Sequence, residues 1–241
     1  MTALPRRAID WIVEQLDKRY GRPKPPPVTD PFEMALWEAA SYLVPEERKG
    51  EVLTRLRAAT GLDPVRIVAM PLGSLAKLIE TGGMKPTMRA EKVRGAAEIA
   101  IEHGVHGLRA LAKKDPVLAK RVFRLFPGIG EPGAERMLLF NRVSVGLAPE
   151  SNGLRVLLRL GYGRKGKGYA AEYRLVREAL AASLPEDARW RIRAHQLLRK
   201  HGQELCKTKE PKCPICPLLP VCPGAGAVPV SGRSARGPRR S

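Results

Sequence analysis

The sequence lacks any apolar run long enough to cross a membrane. Its longest uncharged stretch, residues 213–232, contains five prolines. Proline removes a backbone donor and breaks the helical turn, so this stretch cannot be a spanning helix. Charged side chains also interrupt the first twenty residues, which excludes the apolar core of a signal peptide. We therefore expect an intracellular, cytoplasmic protein with no membrane partner.

Acidic residues are too few to balance the basic ones. The 241-residue chain has 24 Asp and Glu against 43 Lys and Arg, a formal net charge of +19, and its pI is near 10.3. This surplus predicts a polyanionic partner. Hydrophobic residues make up 44% of the chain, which excludes a collagen-like or disordered chain and suits one large or two small domains.

Alternating β-strand patterns are also missing, whereas helical periodicity covers most of the chain. Apolar residues recur at helical spacing from position 5 to 20, and Asp30-Pro31 has the pattern of an N-cap followed by proline at the first helical position. Further helical patterns cover residues 47–59, 64–69, 72–81, 89–103, 105–113, 153–160, 170–182 and 185–201. The sequence therefore predicts an all-α fold, followed by a flexible basic tail at 224–241.

Cysteine is absent except for one compact cluster. Four cysteines lie within seventeen residues, with the spacing C-x6-C-x2-C-x5-C: Cys206, Cys213, Cys216 and Cys222. In a reducing compartment such a cluster indicates metal ligands rather than disulfides. A single CxxC flanked by two isolated cysteines suits a cubane iron–sulfur cluster at least as well as zinc, and the spacing alone does not choose between them.

A glycine-rich turn separates two helical patterns in the middle of the chain. It consists of Phe126, Pro127, Gly128, Ile129 and Gly130. Glycines permit a tight turn whose backbone N–H groups face outward at the start of the next helix, where they can bind a phosphate. Taken alone, such a turn is more often only a connection between helices.

Together these motifs resemble the endonuclease III branch of the helix-hairpin-helix DNA glycosylase superfamily, over about Pro31 to Cys222. The family's Leu-Pro-Gly-Val-Gly-x-x-x-Ala hairpin corresponds to Phe-Pro-Gly-Ile-Gly-Glu-Pro-Gly-Ala at 126–134. The cysteine spacing matches without change. Shorter matches are Pro-Phe-Glu at 31–33, Arg-Ala-Glu-Lys-Val at 89–93, in place of Lys-Ala-Glu-Asn-Ile, and His-Gly at 201–202.

The resemblance implies two helical domains with a DNA-binding groove between them. Residues 24–143 would form a six-helix domain with the helix-hairpin-helix. Residues 1–23 and 144–223 would form a discontinuous domain whose four cysteines bind a [4Fe-4S] cluster. The DNA contacts implied are the hairpin residues Pro127, Gly128, Ile129 and Gly130.

Three functional positions depart from the family pattern. The lysine with which bifunctional members form a Schiff base at the sugar C1′ is Pro132 here, so lysine-type covalent catalysis cannot start from this position. The catalytic aspartate corresponds to Glu150. The glutamine that enters the space left by the flipped base corresponds to Leu43.

Glu150 has two interpretations, as a catalytic carboxylate at a helix N-terminus or as an ordinary acid at a helix start beside a capping Ser151. An aspartate-to-glutamate change moves the carboxylate by about 1.5 Å, so activity requires a pocket shifted to match. Tyr42 and Leu43 are candidates for wedging into a duplex, although such residues are more often part of a core.

Basic residues recur where the family contacts DNA. They are Lys85, Arg89, Lys92 and Arg94 in one segment and Arg155, Arg159, Arg164, Lys165 and Lys167 in another. The second group includes a Gly-rich run at 161–168, where small residues let the backbone approach phosphates. The four histidines show no metal spacing and are interpreted as structural.

The sequence thus predicts a base-excision repair protein that binds damaged or mismatched double-stranded DNA as a monomer associated with the nucleoid. The leading hypothesis is a monofunctional N-glycosylase with Glu150 as its catalytic residue. Two alternatives stay open: a sensor of lesions or branched DNA without catalysis, and a bifunctional lyase using a different lysine.

Overall fold

The computed structural model describes residues 8–143 and 146–226, and within them the chain is helical with no β-strand. This confirms the all-α prediction. The predicted tail at 224–241 lies outside the described residues from position 227 onward. Among the described helices, none combines the length and apolar composition of a membrane span.

Twelve α-helices follow one another through the described residues. They are α1 Ile9–Tyr20, α2 Pro31–Ala39, α3 Glu46–Thr60, α4 Pro64–Ala69, α5 Leu72–Leu78, α6 Pro86–His103, α7 Val105–Lys114, α8 Pro116–Phe123, α9 Glu131–Phe140, α10 Ser151–Arg159, α11 Tyr169–Leu180 and α12 Ala188–Glu204. Short 3₁₀ helices lie at Glu80–Gly82, Ala181–Ser183, Cys213–Ile215, Leu219–Val221 and Pro223–Gly226.

These helices belong to two compact units. The hairpin unit comprises Lys24–Ala148 and Pro185–Arg193, and the cysteine unit comprises Met1–Pro23, Pro149–Leu184 and Ala194–Ser241, each within the described residues. The two domains expected from the sequence have slightly different bounds, 24–143 for one and 1–23 with 144–223 for the other. That division stays a prediction.

The hairpin unit is built around α6, which packs against α2, α4 and α5. Alanines line its buried side, which allows close helix approach. Helix α2 begins as the sequence predicted, since the Asp30 carboxylate accepts a hydrogen bond from the Glu33 amide at 3.0 Å. The other carboxylate oxygen of Asp30 accepts from Arg109 on α7 at 2.6 and 2.9 Å, which ties the start of α2 to α7.

The cysteine unit joins the first helix of the chain to its last ones. Helix α1 buries Ile9, Ile12, Val13 and Leu16, the apolar positions whose spacing predicted it. Helix α10 packs against α11 and against the 3₁₀ helix Pro223–Gly226. The start of α10 and the cysteine loop therefore lie within one compact unit.

Candidate functional site

The glycine turn folds as a tight hairpin between α8 and α9. The Ile129 amide donates to the Phe126 carbonyl at 3.0 Å, and both side chains are buried. Pro127 packs toward α6, where a Cβ placed on Gly95 would lie 3.0 Å from it. Phe126, Pro127 and Ile129 thus anchor the turn, whereas Gly128 and Gly130 are its exposed residues.

Backbone conformation explains the first of the two exposed glycines, Gly128. Gly128 has φ +87°, a region that side chains rarely adopt, and Lys92 of α6 lies beside it. Gly130 is the N-cap of α9 and supplies no side-chain hydrogen bond. No acceptor in the described part of the chain pairs with the amides of Gly128 or Gly130. The start of α9 therefore presents backbone donors and the positive end of a helix dipole.

The second residue of α9 is a proline, and the lysine nearest to it contacts two glutamates. Pro132 lies in the first turn of the helix. Lys120 of α8 approaches the same turn, where its Nζ is 2.7 Å from Glu131 and 2.5 Å from Glu135. The Lys120 ammonium group is therefore engaged by two carboxylates.

Glu150 is itself the N-cap of α10, a role that the structural interpretation had given to Ser151. Its Oε1 accepts from the Gly153 amide at 2.8 Å. Its Oε2 accepts from the Asn152 side-chain amide at 2.8 Å and from the Ser151 hydroxyl at 3.4 Å. Three donors and the helix dipole fix the carboxylate in one orientation, half-buried at the helix start.

Arg155 connects this helix start to the cysteine loop. It donates to the Asn152 side-chain oxygen and to the Gly202 carbonyl, both at 2.8 Å, and to the Cys206 carbonyl at 2.9 Å. Burial, the largest cause, lowers the pKa of Arg155 from its ordinary value. Sequence analysis treated Arg155 only as a DNA contact and missed this connection, for which the i, i+3 spacing of Asn152 and Arg155 is the only sequence signal.

The four cysteines line one cavity with about 430 Å³ of empty space, part of it open to solvent. Arg159 lies at its wall, with Nη1 3.3 Å from the Cys206 sulfur and 2.7 Å from the Lys207 carbonyl oxygen. Burial raises the pKa of the Cys216 thiol to about 11 and also raises that of Cys222. Within residues 8–143 and 146–226, no group of three His, Cys, Asp or Glu side chains has the arrangement that holds a single metal ion.

His201 also lines this cavity, although its interpretation from the sequence was only structural. Its Nε2 lies 3.5 Å from the Cys216 sulfur, and its Nδ1 lies 3.0 Å from the Tyr20 hydroxyl. Burial lowers the pKa of His201 to about 4, so the imidazole is neutral near pH 7.

Tyr42 and Leu43 are exposed at 56% and 77% and are not part of a core. Leu43 has φ +56°, an uncommon conformation for a side-chain-bearing residue. The Tyr42 amide donates to the Gly82 carbonyl at 2.8 Å. The two apolar side chains therefore project from a backbone that is tied to the neighbouring 79–84 segment.

Arg89 provides that tie, which sequence analysis missed by assigning it to DNA. The side chain is 4% exposed and donates to the Ala40 carbonyl, to Ile79 and Gly83 at 2.7 Å, and to Met84 at 3.0 Å. Burial lowers the pKa of Arg89 from its ordinary value. The buried guanidinium thus joins the backbone at Ala40 to the 79–84 segment. Together they form a rigid support for Tyr42 and Leu43.

The Gly-rich run between α10 and α11 carries exposed cations. Arg164, Lys165 and Lys167 are all solvent-exposed, and Gly163 and Gly168 have φ of +83° and +90°. Glycines thus set the path of this loop while its cations face solvent. The role of these cations in DNA binding stays a prediction.

Comparison with known proteins identifies the fold. The sequence matches no protein-family model and no curated protein. Among solved structures, a trapped covalent endonuclease III–DNA intermediate is 21% identical with a TM-score of 0.72, and the match covers 91% of this chain and 96% of that one. A non-covalent endonuclease III–DNA complex is 22% identical with a TM-score of 0.69, over 91% and 95% of the two chains.

A thermostable thymine-DNA glycosylase is similar over nearly the same length. It is 17% identical with a TM-score of 0.69, and the match covers 91% of this chain and 97% of that one. At these identities the likeness establishes the fold and confirms that part of the resemblance stated from the sequence. This chain has the all-helical fold of the endonuclease III-like glycosylases.

Proposed function

We propose that this protein is a monofunctional DNA N-glycosylase of base-excision repair, which removes damaged or mismatched bases from double-stranded DNA. The observation that carries the proposal concerns the first residues of two helices, each within its own unit. Helix α9 has proline where covalent catalysis would require lysine, and α10 holds the Glu150 carboxylate in a fixed orientation. The fold likeness to solved glycosylases supports the same class.

DNA binding is supported by the hairpin and by charge. The unpaired amides of Gly128 and Gly130 can bind a phosphate, and Lys92 lies beside Gly128 as a matching cation. The net charge of +19 would release counterions on binding and would associate the protein with the nucleoid. We propose that it binds as a monomer. Exposed Arg164, Lys165 and Lys167 extend the phosphate contacts.

Base flipping requires a side chain that fills the vacated space in the duplex. Tyr42 and Leu43 serve this role in the proposal because they are apolar, exposed and held on a rigid support. Leucine has no amide to pair with the orphaned base. We therefore expect opening of the base pair by wedging, with little discrimination of the opposite base by this residue.

The chemical step assigns the attack on C1′ to water. Glu150 would lie near the sugar, stabilise the developing positive charge and accept a proton from the attacking water. Pro132 has no amine, and Lys120 is bound by Glu131 and Glu135. The base would leave with the electron pair of its bond to C1′ and take up a proton from solvent, while Glu150 keeps the proton of the attacking water. No Schiff base would form, and the product would be an intact abasic site.

We further propose a [4Fe-4S] cluster bound by Cys206, Cys213, Cys216 and Cys222. The donor set fits, because four thiols line one cavity and each iron of a cubane takes one thiolate. A single zinc ion would use the same four thiolates at about 2.3 Å, so metal analysis decides between the two. The cluster would order the cysteine loop, and Cys213→Ser would reduce thermal stability and DNA affinity together.

The deciding experiment is a screen of the purified protein against duplexes that carry single modified or mismatched bases. We expect base release, strand cleavage only after alkali or heat, and little covalent complex trapped by borohydride. Efficient trapping would overturn the water mechanism and favour a lyase with another lysine. Iron and sulfide analysis after anaerobic purification tests the cluster, and stoichiometric zinc without iron would overturn it.

A binding protein without catalysis is the second candidate, and one observation favours it. Both carboxylate oxygens of Glu150 accept hydrogen bonds within the first turn of α10, as an acid with a purely capping role would. If the screen shows preferential binding of damaged or branched DNA and no base release from any substrate, this second function replaces the first.

A further inference from the structure

Tyr20, His201 and Cys216 form a hydrogen-bonded chain that ends on one of the four sulfurs. The Tyr20 hydroxyl is 3.0 Å from Nδ1 of His201, and Nε2 of the same ring is 3.5 Å from Sγ of Cys216. His201 is 1% exposed, and the tyrosine ring meets it edge-on at 5.9 Å between centroids. The contact brings the end of α1 to the cysteine loop.

The chemistry of a metal-bound cysteine fixes the direction of both hydrogen bonds. Such a cysteine is a thiolate, which has no proton to donate, so Nε2 must carry the proton that faces Sγ. The Tyr20 hydroxyl faces the other ring nitrogen at 3.0 Å, so with the proton on Nε2 the unprotonated Nδ1 accepts and the hydroxyl is the matching donor. The other tautomer would direct a nitrogen lone pair at a sulfur anion, which is repulsive.

We propose that Tyr20 is a positioning residue that holds His201 as an Nε2–H donor to Cys216 and thereby raises the reduction potential of the cluster. This inference rests on the cofactor in the proposed function. A hydrogen bond to a ligand sulfur withdraws negative charge from the cluster. The reduced state carries one more electron than the oxidised state, so it gains more from that withdrawal.

The surroundings of Tyr20 supply a matched electrostatic control. Lys200 lies over the tyrosine ring, with Nζ 5.1 Å from the centroid, and its side chain is 44% exposed. Lys200→Gln removes a nearby charge and leaves both hydrogen bonds in place. Tyr20→Phe removes the hydroxyl and keeps the ring and the charge.

The test is the one-electron midpoint potential of the anaerobically purified, cluster-loaded protein, measured at an electrode that supplies the electron. Tyr20→Phe should lower the potential, so that the ratio of oxidised to reduced cluster at a fixed potential rises at least about threefold. His201→Leu should raise that ratio about tenfold, which is about 59 mV for a one-electron couple. Lys200→Gln should change it less than Tyr20→Phe does.

Nitrogen NMR of the His201 ring gives a second readout that does not depend on the potential. We expect a protonated Nε2 in the wild type and a mixture of tautomers in Tyr20→Phe.

An iron-loaded Tyr20→Phe protein with unchanged potential and unchanged tautomer would overturn this inference alone. If His201→Leu fails to load, Tyr20→Phe still decides, since Tyr20 touches the ring and not the sulfur. A wild type without iron would overturn the cofactor assignment and this inference with it, and base release would still be tested separately.

Discussion

Helices α9 and α10 begin in opposite ways. The N-cap of α9 is Gly130, which has no side chain to accept a hydrogen bond from the first turn. The N-cap of α10 is Glu150, whose carboxylate closes its own first turn. The N-terminus of α9 is thus open to an anion from solution, whereas the N-terminus of α10 is already capped by the carboxylate of Glu150. In the proposed function, binding therefore rests on backbone and chemistry rests on one side chain.

The largest expected effect comes from removing the charge at the start of α10. Glu150→Gln keeps an oxygen that can accept from the Gly153 amide, so the helix should still form. The turnover on the best substrate of the screen should fall by about two to four orders of magnitude, the usual contribution of general acid–base catalysis. Single-turnover kinetics would measure the loss of turnover, and an independent binding titration would measure DNA affinity.

Glu178→Gln is the matched control for this change. It removes an exposed acid from α11 in the same unit and should leave turnover unchanged. Equal turnover in Glu150→Gln and Glu178→Gln would mean that Glu150 only caps its helix. A loss of DNA affinity as large as the loss of turnover would contradict the separation of binding from chemistry.

The next effect concerns what holds the start of α10 in place. A Cβ on Gly202 of α12 would lie 2.5 Å from the Asn152 carbonyl oxygen, and backbone cannot yield as a flexible side chain can. Gly202→Ala should therefore lower the free energy of unfolding by about 1–3 kcal/mol, the range for overpacking. Urea denaturation followed by circular dichroism would measure the change.

Gly73→Ala in α5 provides the reference for that measurement. A Cβ there meets nothing within 4 Å, so alanine should be neutral or stabilise the exposed helix by up to about 1 kcal/mol. If both variants were equally stable, the close approach of α10 and α12 would have no energetic consequence.

Sequence patterns predicted the helical fold and the hairpin because both depend on local signals. Asp30 and Pro31 mark a helix start, and Gly128 marks a left-handed turn, with no need of distant partners. The cysteine spacing likewise identified the residues that line one cavity. Each of these features depends on residues that lie close together in the sequence.

Long-range polar contacts could not be predicted in the same way. Arg89 had the pattern of a surface cation, yet it is buried among carbonyls from positions up to 49 residues away. The contact between Tyr20 and His201 spans 181 positions. No periodicity reports such a pairing, because it depends on how helices pack after they have formed.

The third effect tests whether the open start of α9 binds phosphate. Gly130 has φ −86°, so any residue is tolerated there, and a Cβ would be 3.8 Å from the nearest atom. Gly130→Asp and Gly130→Asn should both cap the helix, but only aspartate adds a charge. We expect aspartate to weaken duplex affinity at least about tenfold relative to asparagine, which is about 1.4 kcal/mol.

Fluorescence anisotropy at low salt would measure this difference. The asparagine variant controls for loss of the amides to a side-chain cap, and the aspartate variant adds repulsion of the phosphate. Equal affinities for the two variants would place the phosphate elsewhere and leave Gly130 as part of a simple turn.

The smallest expected effect lies in the Gly-rich run between α10 and α11. Lys165 and Lys167 are exposed, and each is proposed to neutralise one phosphate. Each Lys→Gln change should then reduce the slope of log affinity against log salt by about 0.9 for duplex DNA. The loss should be the same for damaged and undamaged duplexes, because phosphate contacts carry no base information.

Lys77→Gln on α5, also exposed, is the control of equal charge and should leave the slope unchanged. If all three variants reduce the slope equally, the net charge acts as a diffuse field and the loop makes no specific phosphate contact.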